Sequence, residues 1–310
     1  MKTVFGLKNL KKSLKKGIVT IGVFDGVHEG HTLIIKKLVK YAKHIKGEAA
    51  VLTFDPHPWH ALHPKGHPPR IMSLAHKLRI FEELGVDMCI VIKFDRRFSR
   101  FTPERFIKKI LVDKLNVSKV IVGENFSFGE GRAGTLATLR RFGKRYDFSV
   151  EDISPLKKGG RIVSSSRIRG LISRGQLSLA QSLLGRPVSI LGTVAHGYGR
   201  GRIIGFPTAN IDPHHEVIPP SGVYSVKIML HYKLFNGILN IGSCPTFKSD
   251  NRGVEPTVEV HIFNFNRDIY GKDLEILFIK KIRDERCFSS KENLIEQIKR
   301  DERRVRRGIR

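Results

Sequence analysis

An apolar run that passes through a glycine-rich loop into a helical pattern limits what this chain can fold into more than any other feature. Residues 18–23 are apolar at nearly every position, which predicts a strand buried on both faces. After the loop of residues 22–31, apolar side chains recur at helical spacing at Ile34, Leu38, Tyr41 and Ile45. The order of strand, loop and helix is typical of one unit of a parallel α/β sheet.

The composition of this loop predicts a phosphate site. Gly26 and Gly30 allow the backbone to close on a ligand, and free N–H groups at the start of the next helix attract phosphate. His28 and His31 are three residues apart, so both can point into that site and donate hydrogen bonds to phosphoryl oxygens. A zinc site is the weaker interpretation, because neither a nearby Cys nor a set of carboxylates accompanies the two histidines.

Length and composition predict a two-domain protein with a core in each domain. The chain has 310 residues, of which 40% are hydrophobic. No apolar run approaches membrane-spanning length, and residues 1–17 lack the apolar core of a signal peptide, so we expect a cytoplasmic protein. Cys89, Cys244 and Cys287 form no Cys-x-x-Cys pair, which argues against a disulfide framework or a zinc site.

The charge of the chain is strongly positive. Lys and Arg number 56 against 29 Asp and Glu, giving +27, a balance that attracts nucleotides, nucleic acid or acidic lipid. The densest basic cluster, residues 299–310, also reads as a helix with a solvated face. No aromatic strand or zinc finger of a nucleic-acid-binding module accompanies the charge, so we expect no specific nucleic-acid partner.

Strands and helices alternate through the first half of the chain, which predicts a doubly wound parallel sheet. Further strands are expected at 49–54, 88–92 and 119–122, and further helices at 74–84 and 106–115. Prolines 56 and 58 are expected to stop both helix and sheet after residue 54. Ligands of such sheets bind beyond the carboxyl ends of the strands, the edge shared by the loops 22–31 and 123–129.

Residues 161–169 place hydroxyl groups beside arginines ahead of a helix, a composition that suits a triphosphate. The polar members of this segment are Arg161, Ser164, Ser165, Ser166, Arg167 and Arg169. The alternative is a serine N-cap flanked by solvated arginines.

The pattern changes after a short helix at 177–184 that Gly185 closes. Short strands separated by Gly, Pro and Asn turns follow at 188–194, 222–228, 235–241, 257–263 and 274–279. Such strands predict an antiparallel barrel or sandwich. We therefore predict one domain over residues 1–185 and a second over residues 186–310.

Two segments of the second domain carry chemistry. In residues 201–211, glycines allow close backbone approach, and Thr208 and Asn210 offer oxygens to a metal-bound phosphate, although a hairpin loop capped by these side chains is the alternative. In residues 257–262, alternation places Glu259 on the face opposite Val258 and Val260, where an isolated strand would leave it in solvent.

Several motifs resemble those of known families. Residues 22–31 resemble the Gly-x-Phe-Asp-Gly-x-His-x-Gly-His signature of nucleotidyltransferases, and residues 164–169 resemble their Ser-Ser-Thr-x-Ile-Arg element, with Ser166 in place of Thr. The whole order of motifs is similar to that of bacterial bifunctional riboflavin kinase/FAD synthetases. The motifs are residues 22–31, 53–58, 126–129, 167–169, 205–210, 240–247, 259–261 and 270–271.

This resemblance implies a Rossmann-like N-terminal domain that adenylylates FMN with ATP. It also implies a C-terminal barrel with a terminal helix, which phosphorylates riboflavin with ATP. Both reactions would use Mg²⁺. His28 and His31 would hold the ATP phosphates, and Glu259 would be the base that takes the proton of the ribityl hydroxyl. By matched position the other nucleotide-binding residues would be Gly22, Phe24, Gly26, Asn125, Arg161, Ser164, Ser165, Ser166, Arg169, Gly201, Gly205, Pro207 and Thr208. Thr208 and Asn210 would bind magnesium, and Asp55 and Pro56 would shape the flavin side of the adenylylation site. The resemblance implies FAD, FMN and riboflavin as products and substrates, and assigns no role to Cys244.

Three alternatives stay open. The first is a nucleotidyltransferase acting on another substrate, such as pantetheine phosphate or a lipid head group; residues 205–210 and Glu259 argue against it. The second is a nucleic-acid-binding protein without catalysis, which only the charge favours. The third is a regulator that binds FMN without making it. Oligomeric state has no sequence signal.

Overall fold

The computed structural model describes residues 1–63, 68–196, 201, 205–242 and 257–308. The chain forms two compact units. The first contains Met1–Pro68 and Leu74–Ser165, and the second contains Pro69–Ser73 and Ser166–Arg310. Within the described residues, no helix is both long and apolar enough to cross a membrane.

The first unit contains the predicted parallel sheet, which has six strands. Its strands are β1 (Lys2–Phe5), β2 (Gly17–Ile21), β3 (Ala49–Asp55), β4 (Met88–Lys93), β5 (Val117–Gly123) and β6 (Ser149–Ile153). Their order is β1-β4-β3-β2-β5-β6, and every neighbouring pair is parallel. All five residues of β2 are buried, because β2 lies inside the sheet. A two-stranded hairpin of β7 (Lys157–Lys158) and β8 (Arg161–Ile162) follows.

The helices of this unit follow the alternation expected of the fold. They are α1 (Glu29–His44), α2 (Pro58–Leu62), α3 (Leu74–Glu83), α4 (Arg96–Ser99), α5 (Pro103–Phe106) and α6 (Leu136–Tyr146), with a π-helical continuation of α5 over Ile107–Val112. The prediction that prolines stop both helix and sheet after residue 54 was wrong for the helix. Pro58 begins α2, because proline in the first turn lacks only an N–H that would have no helical partner.

The second unit contains two helices, a closed antiparallel barrel and a terminal helix. Helix α7 (Ser165–Ser173) begins at the last residue of the first unit, α8 (Leu177–Leu184) follows, and Gly185 closes α8 with φ +76°. The barrel strands are β9 (Ser189–Ala195), β10 (Ala209–Asp212), β11 (Gly222–Leu230), β12 (Lys233–Gly242), β13 (Thr257–Ile262) and β14 (Asp273–Arg283). They close in the order β10-β13-β12-β11-β14-β9. Helix α9 (Lys291–Arg307) packs Val305 against Val223, Ile238 and Phe263.

The short segment Pro69–Ser73 belongs to the second unit although its neighbours in sequence belong to the first. Glu216, only 3% exposed, explains this attachment. Its carboxylate accepts a hydrogen bond of 2.6 Å from the backbone N–H of Ser73 and another of 3.1 Å from that of Leu191. The two units divide between Ser165 and Ser166, so the boundary near Gly185 stays a prediction.

Candidate active sites

The loop of residues 22–31 leaves β2 and opens α1 through an unusual backbone path. Phe24, Gly26 and Val27 all have positive φ, at 53°, 82° and 35°. Such angles favour glycine, so the two non-glycine residues need support from their surroundings. Phe24 has this support, because its ring is buried and contacts the edge of Phe81 at a centroid distance of 5.8 Å. Gly22 leaves room for this ring, since a Cβ there would lie 3.0 Å from Phe24 Cζ.

His28 and His31 stack against each other at the N-terminus of α1. Their ring centroids are 3.6 Å apart with planes 14° from parallel. His28 is the N-cap residue, and its Nδ1 accepts a hydrogen bond of 3.3 Å from the backbone N–H of His31. A neutral ring that accepts through Nδ1 carries its proton on Nε2, which makes Nε2 a donor. Gly30 leaves room for the ring of His28, because a Cβ at position 30 would lie 3.2 Å from His28 Cε1.

Buried side chains hold the first part of the loop. The carbonyl of Val23 accepts a hydrogen bond of 3.0 Å from Lys77 Nζ and a longer one of 3.4 Å from Thr53 Oγ1. Lys77 is only 6% exposed. Its charge acts on the neighbouring Cys89, where burial raises the thiol pKa to about 12 and the Lys77 charge opposes that rise. Lys77 was not predicted as a site residue, although a lysine within the predicted helix 74–84 was the available signal.

The other predicted residues of the first unit lie at the same edge of the sheet. Asp55 ends β3 and Pro56 follows it, while Asn125 is exposed in the turn after β5. Strands β3 and β5 flank β2, so their carboxyl ends lie on either side of the loop 22–31. Asp55 and Asn125 therefore lie at or just after the ends of the two strands that flank β2, at the edge of the sheet where the loop lies.

The segment 161–169 spans the division between the two units. Arg161 is exposed on β8, and Ser164 is half-buried just before α7. Ser165 begins α7 and donates a hydrogen bond of 2.8 Å from Oγ to the carbonyl of Asp25, which attaches it to the loop. Ser166 and Arg169 follow on α7 in the second unit.

In the barrel, strand pairing brings Glu259 beside two asparagines. Glu259 on β13 lies opposite Asn210 on β10 and opposite Asn240 on β12. Residues directly opposite each other in antiparallel strands share one face of the sheet. The predicted alternation is confirmed, because Val258, Val260 and Ile262 are buried while Glu259 is half-buried. Glu259 therefore lies in a polar row, with Asn210 and Asn240 on either side.

The loop before β10 is attached to β13. His261 Nδ1 lies 2.8 Å from the carbonyl oxygen of Pro207, and its ring meets the edge of Phe206 at 5.6 Å. Gly201 packs over this loop, because a Cβ there would lie 2.4 Å from the Phe206 carbonyl and 2.8 Å from Thr208 Oγ1. Gly205 has φ +84°, and Thr208 is exposed. Residues 202–204 and the motif positions 243–247, with Cys244, lie outside the described residues.

A cavity of about 380 Å³ opens further along β12 and β13. It is lined by Leu234, Phe235, Asn236, Phe263, Asn264 and Arg306. The guanidinium of Arg306 lies 4.4 Å above the ring of Phe263 and donates a hydrogen bond of 3.2 Å to Asn264 Oδ1. The sequence analysis assigned no role to these residues, because they come together only when α9 packs against the barrel.

Among the residues that the structure describes, neither site offers a dedicated protein cage for a metal ion. Across the described residues, no group of three or more His, Cys, Asp and Glu side chains is arranged to hold a metal. Any metal would therefore need ligands from elsewhere, such as hydroxyl and amide oxygens of the protein or phosphates of a nucleotide.

Comparisons with known proteins also divide the chain into an N-terminal and a C-terminal part. A family model described as FAD synthetase matches residues 10–167, and one described as riboflavin kinase matches residues 184–309. A protein of Buchnera aphidicola subsp. Schizaphis graminum named bifunctional riboflavin kinase/FMN adenylyltransferase is 40% identical over 303 residues, covering 97% of this chain and 96% of the relative. The protein of the same name from Escherichia coli strain K12 is 38% identical over 304 residues, with the same coverage.

A solved structure shares the fold over nearly the whole length. It is titled a macrolide-efflux protein from Streptococcus pneumoniae, is 30% identical, and superimposes with a TM-score of 0.82 over 99% of both chains. Its title names a different activity from the family models and the two relatives. This likeness therefore supports the fold, while the family models and relatives indicate the chemistry.

Proposed function

The chain belongs to the family of bifunctional riboflavin kinases/FMN adenylyltransferases, and from this premise we propose which of its residues perform each reaction. The enzyme phosphorylates riboflavin to FMN and adenylylates FMN to FAD. We assign the second reaction to the loop of residues 22–31 and the first to the polar row on β10, β13 and β12. The observation that carries this assignment is the pairing of Glu259 with Asn210 in one unit and the stacking of His28 on His31 in the other.

At the first site, a phosphate oxygen of FMN attacks the α-phosphorus of ATP, and the bond to the β-phosphate breaks as pyrophosphate leaves. The attacking group is already ionised, so the protein need not supply a nucleophile or a base. Donors that meet the negative charge on the transferring phosphoryl group lower the barrier. His28 and His31 supply ring N–H groups there, and backbone N–H groups at the N-terminus of α1 add to them.

The remaining residues predicted for this site shape its borders. Gly22, Phe24 and Gly26 give the loop its path, and we propose that the nucleotide lies against it. Asn125, Arg161, Ser164 and Ser165 would contact the ATP, and Asp55 with Pro56 would border the flavin. Ser166 and Arg169 remain proposed on the family resemblance alone.

At the second site, the terminal hydroxyl of the ribityl chain attacks the γ-phosphorus of ATP, and ADP leaves. Glu259 takes the hydroxyl proton as the new bond forms. Its position between Asn210 and Asn240 gives the carboxylate polar neighbours on the same face of the barrel. Gly201, Gly205, Pro207 and Thr208 belong to the loop at the head of β10, and we propose that this loop covers the ATP phosphates.

Thr208 and Asn210 fit a magnesium ion in the kinase unit. Mg²⁺ takes oxygen ligands, and in kinases it is held by one or two protein groups together with substrate phosphates. The Thr208 hydroxyl and the Asn210 amide oxygen are such groups, and they lie two residues apart where the loop enters β10. When bound, the ion would neutralise charge on the phosphates.

We propose that the cavity beside Phe263 receives the ring system of riboflavin. Phe263 lies four residues after Glu259, so the cavity lies about 13 Å further along the same strand direction, at ~3.3 Å per residue. Its aromatic rings can pack against a flat heterocycle, while Asn236, Asn264 and Arg306 can meet polar ring atoms. A flavin in this position would extend its ribityl chain toward Glu259.

The test is incubation of the pure protein with riboflavin, ATP and Mg²⁺, followed by chromatographic separation of the flavins. We expect FMN first and then FAD, and no product when EDTA removes the metal. Unchanged riboflavin with a folded protein would contradict the kinase assignment, and FMN that is never converted to FAD would contradict the adenylylation assignment. Tight flavin binding without product would favour a regulator that binds flavin. Because both reactions consume ATP, we propose that the enzyme acts in the cytoplasm.

A further inference from the structure

The amino edge of the parallel sheet, opposite the edge of the catalytic loop, carries an unusual concentration of positive charge. Four segments meet there: the approach to β2, the turn between α1 and β3, the turn before β5, and the turn between α6 and β6. Nine exposed cations lie on these segments and on the last turns of α1 and α6 that lead into them. We call this set the basic edge: Lys11, Lys12, Lys15, Lys16, Lys43, Lys46, Lys114, Lys144 and Arg145.

Backbone contacts show that these segments are neighbours in space. The N–H of Leu14 donates a hydrogen bond of 3.1 Å to the carbonyl of Leu115, beside Lys114. The N–H of Glu48 donates one of 3.1 Å to the carbonyl of Lys15, which joins the second segment to the first. Ser118 Oγ donates a hydrogen bond of 3.1 Å to the Gly17 carbonyl, and Ser149 Oγ donates one of 3.4 Å to the Ser118 carbonyl, which joins the fourth segment to the others. The basic edge is therefore one continuous surface of the first unit.

Few carboxylates balance this charge. Against the nine cations, the same four segments contain only Glu48, Asp113 and Asp147. The Glu48 carboxylate accepts a hydrogen bond of 2.6 Å from the backbone N–H of Lys15, and Asp113 pairs with Lys108 and Lys109 of the π-helical segment.

None of the nine cations forms an ion pair within the part of the chain that the structure describes. On the helix faces of the same unit, by contrast, Lys37 and Lys119 share Glu151, and Arg140 pairs with Asp152. The positively charged surface ends beside β4, where the amino edge of the sheet carries the acidic residues Glu82, Glu83 and Asp87. The positive charge is thus concentrated rather than uniform.

We propose that the basic edge binds the phosphate backbone of double-stranded nucleic acid without reading its sequence. Regularly spaced phosphates complement a row of unpaired ammonium groups, and such contacts supply sequence-independent binding. None of the large exposed hydrophobic side chains among the described residues lies on the four segments. Anionic lipid would attract the same charges, but these segments offer no large exposed apolar side chain that could insert and strengthen membrane binding. They also offer no exposed aromatic ring on which the bases of a single strand could stack.

The location makes this binding compatible with catalysis. The loop of residues 22–31 lies at the carboxyl ends of the strands, whereas the basic edge lies at their amino ends. A duplex on the basic edge would leave the adenylylation site open. Neutralising the basic edge should therefore leave both enzymatic activities unchanged.

The test compares two variants of the full chain with the same net charge. The first replaces Lys11, Lys12, Lys15 and Lys16 by Gln. The control replaces Lys36, Lys227, Lys280 and Lys291 by Gln; these are exposed lysines away from the basic edge. Binding of a fluorescent DNA duplex is followed by anisotropy at several salt concentrations, and flavin turnover and thermal unfolding report that both variants are folded.

We expect the first variant to bind the duplex about tenfold or more weakly than the wild type. Its plot of log K against log salt should flatten by about 0.9 for each phosphate that the variant no longer neutralises. The control should retain wild-type affinity. Equal weakening in both variants would overturn the proposal, because it would show a response to net charge alone. Absence of duplex binding by the wild type would also overturn it, as would binding only to vesicles containing phosphatidylserine.

Discussion

The stacked histidines make a prediction that separates the two reactions. Replacing His31 by Ala, or His28 by Asn, should lower FAD formation by on the order of a hundredfold or more while FMN accumulates, because each removes a donor to the transferring phosphoryl group. Asn is chosen at position 28 because it retains the N-cap of α1, whose loss costs about 0.5–2 kcal/mol. Chromatography of flavins measures both rates in one sample.

The matched control is His44→Ala, an exposed histidine at the other end of the same helix, which should change neither rate. Equal loss of FMN and FAD formation in the His31 variant, with the fold intact, would show that the sites are not separate.

Glu259 makes the corresponding prediction for the kinase. Gln keeps the shape of the side chain but cannot accept the hydroxyl proton, so Glu259→Gln should slow riboflavin phosphorylation by ~10²–10⁴. Adenylylation of FMN added directly needs no alcohol deprotonation and should be unchanged. Adenylylation by the same variant thus serves as the control. Riboflavin phosphorylation at the wild-type rate would show that Glu259 is not the base.

Lys77 is expected to act by positioning the catalytic loop. Lys77→Met would leave the partly buried Val23 carbonyl with the longer Thr53 hydrogen bond, and loss of its shorter bond should cost up to about 1–3 kcal/mol. Adenylylation should fall while riboflavin phosphorylation stays unchanged, as measured by steady-state kinetics with FMN and riboflavin as separate substrates. The control is Lys36→Met, an exposed lysine on α1. Wild-type adenylylation by Lys77→Met would contradict this role.

At the scale of elements, Glu151 connects β6 to two neighbours. Its carboxylate pairs with Lys119 of β5 at 2.7 Å and with Lys37 of α1. Hydrogen bonds from Lys119 and then Lys37 hold the pKa of Glu151 below its usual value. A carboxyl group whose pKa is lower in the folded than in the unfolded state stabilises the protein at pH values above the unfolded-state pKa. This contribution is lost as the pH falls through the folded-state pKa.

Glu151→Gln should therefore lower the free energy of unfolding at neutral pH, within ~1 kcal/mol because the pair is partly exposed. The difference from the wild type should disappear in acid, as followed by urea unfolding across pH. Asp147→Asn is the control, since Asp147 is exposed and forms no ion pair among the described residues. A destabilisation that persists unchanged below the folded pKa would contradict the electrostatic explanation.

Within the parallel sheet, strand prediction succeeded where burial is complete and failed where it is partial. Strands β2 to β5 are apolar runs, and the sequence located each of them. Strands β1 and β6 were not predicted, because they lie at the two edges of the sheet and carry charged side chains such as Lys2 and Glu151. An edge strand has one neighbour and more solvent, so its sequence shows less of the pattern.

At the scale of the whole molecule, the second unit should catalyse alone. A fragment of residues 186–310 contains the barrel, α9 and every residue assigned to the kinase, so we expect it to make FMN. It lacks Ser73, whose N–H binds the buried Glu216 carboxylate, so its thermal transition should lie below that of the same unit in the full chain. Calorimetry and a flavin assay test both statements, and a folded fragment without kinase activity would contradict the first.

The sequence by itself determined the features that depend on neighbours along the chain. Periodicity distinguished the α/β half from the barrel half, and the glycines and histidines of residues 22–31 predicted a phosphate site at the start of the helix that became α1. These features follow from local backbone geometry, which a short stretch of residues decides.

Only the tertiary structure decided which distant residues meet. Three such contacts depend on strand register or burial: the hydrogen bond from Lys77 to Val23, the position of Glu259 between Asn210 and Asn240, and the hydrogen bond from Ser73 to Glu216. The sequence shows that a lysine or a glutamate is present, but not which carbonyl or amide it faces. Those partners result from packing the elements together, because contacts between residues far apart in the chain form only when a common core is buried.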